Sequence, residues 1–141
     1  MNIQTTTLLE RIGGEAAVHR LVTRFYDLME SEPAVYELFR LHFRGHGMNH
    51  TRQEQFNFLT GFFGGRRHYH EKHGHMNLRE IHEHVPIREK DAEMWLDLMD
   101  RAISDCEMNG PDVEKIRTAL RRAALSLVND VPDWRENSTS A

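Results

Sequence analysis

Six of the chain's ten histidines, His68, His70, His73, His75, His82 and His84, fall within seventeen positions. An imidazole can ligate a metal, carry a proton near neutral pH or simply face water, and its place on the local repeat separates these uses. In the stretch LREIHEHVPI, residues 78–87, Leu78, Ile81 and Val85 recur at helical spacing. His82 follows Leu78 by four positions and joins that apolar stripe. Side chains two apart on a helix point roughly 200° apart, so His84 falls outside it. An imidazole buried without a partner costs about 1–3 kcal/mol. His82 therefore reads either as a core histidine bonded to backbone or as the ligand of a metal or cofactor. His46 and His50, four apart, and the group His70, His73 and His75 offer a second chemistry, zinc or nickel binding. No carboxylate or thiolate accompanies these at ligand spacing, and the commoner role of such histidines is solvated surface.

Three other polar groups interrupt stripes that should be apolar. Tyr26 follows Val22 by four, Gln55 lies one turn before Phe58 and Leu59, and Trp95 sits within the run Met94, Leu98, Met99, Ala102, Ile103, Cys106. A phenol, an amide, an indole and an imidazole directed inward from four separate helices are many polar atoms for one small core. Either each bonds locally to backbone, or together they line a cavity for a flat apolar cofactor with His82 on its metal.

The elements that must position these groups are helical. Val18, Leu21, Val22, Phe25 and Met29 mark a helix after Gly13-Gly14 that ends near Ser31 to Pro33. Pro33 opens a short helix with Val35, Tyr36 and Phe39, and HFRGHGMNH reads as a loop. The helix carrying Gln55, Phe58, Leu59 and Phe62 ends at Gly64-Gly65; the polar stretch to Gly74 reads as loop, followed by a short helix containing His82. A long helix lies between Ile87 and Glu107, and a last one runs from Pro111 through Val113, Ile116, Leu120, Ala124 and Leu127. Period-two alternation is absent, so the chain reads as all-α. Its 141 residues suit one domain over 1–131, with 132–141 a disordered tail on which Trp134 could dock. Eighteen basic residues against 22 acidic ones, a net −4 without a long basic run, exclude a dedicated nucleic-acid binder. No apolar run is long enough to span a bilayer, and MNIQTTTLLER lacks the pattern of an export signal. The single cysteine, Cys106, permits no disulfide within the chain and fits a cytoplasmic setting.

The chain resembles the truncated haemoglobins, specifically the bacterial group II or O-type. The resemblance runs from RIGGEAAVHRLVTRFYDLM through FLTGFFGG, YHEKHGH, LREIHEHV and WLDLM to AALSLVND. Its most specific marks are the Phe25-Tyr26 pair, Gly64-Gly65 followed at a set distance by Gly74-His75, and a histidine thirteen residues before a tryptophan. It implies a truncated globin fold, a two-over-two helical sandwich around haem b, with His82 the proximal ligand to iron. On the distal side it implies Tyr26, Thr51, Gln55 and Trp95. Phe58 and Leu59, beside Gln55, join the haem contacts. His42 best matches the distal corner, with Phe39 or Phe43 as alternatives because the loop differs in length from other members. Ile81 stands where the family often has an arginine or lysine that pairs with a haem propionate, which makes Arg79, Tyr69 or a nearby histidine the candidates for that contact.

The resemblance further implies binding of O2, NO and CO at ferrous iron, with slow O2 release when Tyr26, Trp95 and His42 donate together. Such retention suits scavenging, nitric oxide dioxygenation or peroxidase-like chemistry, the last two with an unidentified reductase, better than unloading in transport. Two other classes compete: a histidine-rich zinc or nickel protein, and a helical interaction module without cofactor.

Overall fold

A computed structural model describes residues 6–32, 35, 48–83 and 85–132, among which there is no β-strand. Seven helices follow in order: α1 (Leu8–Arg11), α2 (Gly14–Ser31), α3 (Met48–Phe62), α4 (His68–His73), α5 (Leu78–Ile81), α6 (Glu89–Asp105) and α7 (Pro111–Leu125). Gly13, at φ 117°, opens α2, and its buried face is the stripe the sequence marks: Val18, Leu21, Val22, Phe25, Tyr26 and Met29. That face packs against α3 on one side and α6 on the other, while α6 packs on α7. Two helix pairs, α2 with α3 and α6 with α7, thus stack as a two-over-two sandwich. Its core joins Phe25, Leu59, Phe63, Leu98, Met99, Ile103 and Ile116. Each fully buried side chain of that size contributes about 1.5–3 kcal/mol.

Gly64, at φ 94°, ends α3, and Gly65 returns its N–H to the Thr60 carbonyl at 2.9 Å. A Cβ on Gly65 would overlap the Leu9 side chain, so the glycine pair brings α1 against the end of α3. At the other end of the chain, Pro111 occupies the first turn of α7, where a missing N–H costs nothing.

Three expectations are corrected. The stretch HFRGHGMNH is not loop to its end, because Met48, Asn49 and His50 already belong to α3. The polar stretch before Gly74 is not loop but α4, closed by Gly74 at φ 81° with its N–H on the His70 carbonyl at 2.7 Å. The helix expected to contain His82 ends at Ile81, which leaves His82 in the following turn. The helix expected from Pro33 lies outside the described residues except for Val35, which is buried. Phe39, His42, Phe43, His46, His84 and Trp134 lie outside them as well.

Candidate functional site

Tyr26 comes from the middle of α2 and is completely buried. Its hydroxyl lies 3.5 Å from Gln55 Oε1 on α3, a long hydrogen bond in which the phenol donates. Burial pushes its pKa well above the usual phenol range, and the nearby Arg52 guanidinium works against that rise. Phe25 binds this pair to the next helix: its ring centre is 5.0 Å from that of Tyr26 and 5.4 Å from that of Trp95 on α6. Trp95 is half-buried, and no hydrogen bond of its indole N–H is seen among the described residues. The structure thus links Tyr26, Gln55 and Trp95, expected from three separate stripes: Tyr26 meets Gln55 directly, and Phe25 lies against both Tyr26 and Trp95.

A second group lines α3 further along. Phe58 packs edge-on to Tyr69 of α4 at 5.5 Å and stacks near Phe62 at 5.9 Å. Thr51 and Leu59 are buried on the same helix. Tyr69, Phe62, Met76, Met94 and Trp95 rest on the core but are only partly covered by it.

His82 is half-buried, and its carbonyl accepts from the Val85 N–H at 3.0 Å. Because the turn rather than a helix carries it, something else must fix its backbone. Asn129, from the far end of the chain, fastens the segment that follows His82. Its Nδ2 donates to the Val85 carbonyl at 2.9 Å, its Oδ1 accepts from Ile87 N at 3.2 Å, and its own N–H donates to the Ile87 carbonyl at 2.8 Å. Arg88 adds bonds to the carbonyls of Asn129 and Val131, both at 2.8 Å. Nothing in the periodicity marks Asn129, since its partners are backbone groups some forty residues away. Arg79 is exposed on α5.

His70, His73 and His75, the zinc or nickel alternative, form no such site: no group of three or more histidine, cysteine, aspartate or glutamate side chains able to hold a metal occurs among the described residues. His73 instead bonds Glu54 at 2.7 Å, and Lys72 reaches the other oxygen of the same carboxylate at 2.5 Å. Glu54 is the carboxylate partner that local spacing does not reveal, because it comes from α3. His75 Nδ1 accepts from the Asn77 N–H at 3.2 Å.

One imidazole, partly covered aromatic side chains and a buried phenol on an amide make a poor cage for a bare cation, which needs several protein ligands. They suit a flat apolar group that carries most of the ligands of its own metal and would take one imidazole from the protein. The residues therefore fit a haem.

Comparison with known proteins agrees with that class. Residues 7–129 match the bacterial-like globin family. The chain is 32% identical over 116 residues to the group 2 truncated hemoglobin YjbI of Bacillus subtilis, covering 82% of this chain and 84% of that one. It superposes on the group II 2-on-2 hemoglobin of Agrobacterium tumefaciens with a TM-score of 0.81 at 34% identity, covering 92% and 98% of the two chains. For a truncated oxygen-avid haemoglobin of Bacillus subtilis the TM-score is 0.78 at 31% identity, with 88% and 100% covered. The chain belongs to the bacterial-like globin family and, within it, to the group II truncated haemoglobins. Membership implies a haem cofactor and binding of diatomic gases such as O2. No helix among the described residues is long and apolar enough to cross a membrane.

Proposed function

We propose that this protein holds haem b through the His82 imidazole and takes up O2, NO and CO, releasing O2 slowly. When bound, the haem supplies a ferrous iron with one position open to a diatomic gas. The rest of the chemistry belongs to the side chains. The observation that carries the reading is the fully buried Tyr26 hydroxyl set beside Gln55, with Trp95 reached through Phe25. O2 in such a pocket draws negative charge, and each N–H or O–H donor that reaches it contributes about 1 kcal/mol, more where water is excluded. Tyr26 and Trp95 supply two such donors: the Tyr26 hydroxyl, which donates to Gln55 Oε1 at 3.5 Å, would turn that one proton to the gas. Thr51, Phe58 and Leu59 line the distal face, while Tyr69 and Arg79 are the propionate contacts that replace the basic residue missing at Ile81. His42 is assigned to the distal corner, with Phe39 or Phe43 as the alternatives.

A pocket that retains O2 suits scavenging or redox turnover, such as nitric oxide dioxygenation fed by a reductase, better than carriage. The oxygen avidity in the description of the Bacillus subtilis structure supports the same direction. The test is a visible absorption spectrum of the purified protein with stoichiometric haem, in ferrous form with and without O2. A strong band near the blue edge of the visible that shifts on adding O2 is expected. A protein that takes up no haem under these conditions would overturn the reading and favour a cofactor-free helical module.

A further inference from the structure

Arg52 lies one turn before Gln55 on α3, yet its guanidinium reaches across to α2. It donates to the Thr23 carbonyl at 3.2 Å, to Asp27 Oδ1 at 2.8 Å and to Glu30 Oε2 at 3.4 Å. Its Cζ is 5.8 Å from the centre of the Tyr26 ring. Thr23, Tyr26, Asp27 and Glu30 sit at helical spacing and share one face of α2. One side chain therefore ties the α2 face bearing Tyr26 to the α3 face bearing Gln55. Arg52 is 21% exposed whereas Asp27 and Glu30 are 49% and 46% exposed, so its carboxylate partners lie toward solvent and the ring toward the interior.

We propose that Arg52 is a positioning residue for ligand retention, setting the Tyr26 hydroxyl against Gln55 and strengthening it as a donor. The inference rests on the gas-binding function above. Two physical effects act together. A planar guanidinium with several fixed N–H groups holds a helix pair in one register, which a flexible ammonium does less well. A cation beside a phenol favours the electron-rich form of its oxygen and makes the O–H a stronger hydrogen-bond donor. Ion pairs this exposed contribute little to stability by themselves, so the main consequence falls on the pocket rather than on the fold.

The experiment compares haem-loaded wild type with Arg52→Met, Arg52→Lys, Tyr26→Phe and the Arg52→Met/Tyr26→Phe double variant. The infrared C–O stretch of added carbon monoxide reports donors in the pocket, the O2 dissociation rate reports retention, and the thermal midpoint of the haem-free protein reports the fold. Arg52→Met should release O2 roughly threefold to tenfold faster and move the C–O stretch to higher frequency. Arg52→Lys should fall between it and wild type. In the Tyr26→Phe background, Arg52→Met should change neither. A lowered thermal midpoint with an unmoved stretch, or an equal effect with and without the Tyr26 hydroxyl, would overturn the proposal and leave a fastening of the fold. Should Arg52→Met fail to fold, Arg52→Gln keeps an amide donor for the Thr23 carbonyl and Asp27 but removes the cation, and should shift the stretch in the same direction. Absence of haem from the wild type would instead remove the gas-binding function itself, whereas haem uptake with silent Arg52 variants removes only this proposal.

Discussion

At His82 the difference between a ligand and a satisfied core histidine becomes measurable. His82→Ala should abolish stable haem retention, while His84→Ala should keep it; haem stoichiometry of the two purified variants decides, and equal retention would withdraw His82 as the ligand. Cys106 gives a second residue-scale expectation. Burial pushes its thiol pKa up, and only the thiolate is nucleophilic. Its alkylation by iodoacetamide near pH 8 should be slower than that of a short unfolded peptide thiol, and equal rates would contradict the burial. Tyr26 and Trp95 are legible in the sequence because each breaks an apolar stripe. Arg52 and Asn129 are not, because a polar residue on a helix face or in a turn is ordinary until its partners on another segment are known.

Among the elements, α2, α6 and α7 are visible in the sequence as stripes of large apolar side chains, whereas α4 is hidden. Its apolar contribution is Tyr69, and its docking depends on Glu54 of α3, which no local pattern exposes. Burial alone would raise the Glu54 pKa, but the hydrogen bonds from Lys72 and His73 outweigh it and hold the carboxyl below its usual range. A depressed folded-state pKa stabilises at pH above the unfolded carboxylate value, and that contribution disappears as pH falls through the folded one. Amide protection in α4, measured as exchange relative to an unstructured chain at the same pH, should therefore be high at neutral pH and fall in acid. Glu54→Gln should bring the lower protection to neutral pH, with a cost of about 1 kcal/mol. A protection factor in α4 that does not change with pH would contradict the role of Glu54. Asn129→Ala should loosen the turn after His82: it removes three or more side-chain hydrogen bonds to backbone. Faster haem loss with α2, α6 and α7 still protected is the expected result, and unchanged haem loss would mean that the turn holds itself.

For the molecule as a whole, the sandwich sets the phenol of Tyr26 against the amide of Gln55 and sets both Tyr26 and Trp95 against Phe25, and the sequence supplies each helix with its stripe but not the distances between them. Tyr26 meets Gln55 at 3.5 Å and the Phe25 ring lies against both Tyr26 and Trp95, while His82 stands on a turn rather than a helix. If these donors act on one ligand, their effects are coupled and the pair of substitutions departs from the sum of the single ones. Stopped-flow replacement of O2 by carbon monoxide in the wild type, Tyr26→Phe, Trp95→Phe and the double variant tests this directly. Each single substitution should speed O2 release by about tenfold for every 1.4 kcal/mol of donor lost, with the double variant non-additive. An O2 dissociation rate that is the same in all four proteins would contradict a pocket built to retain O2.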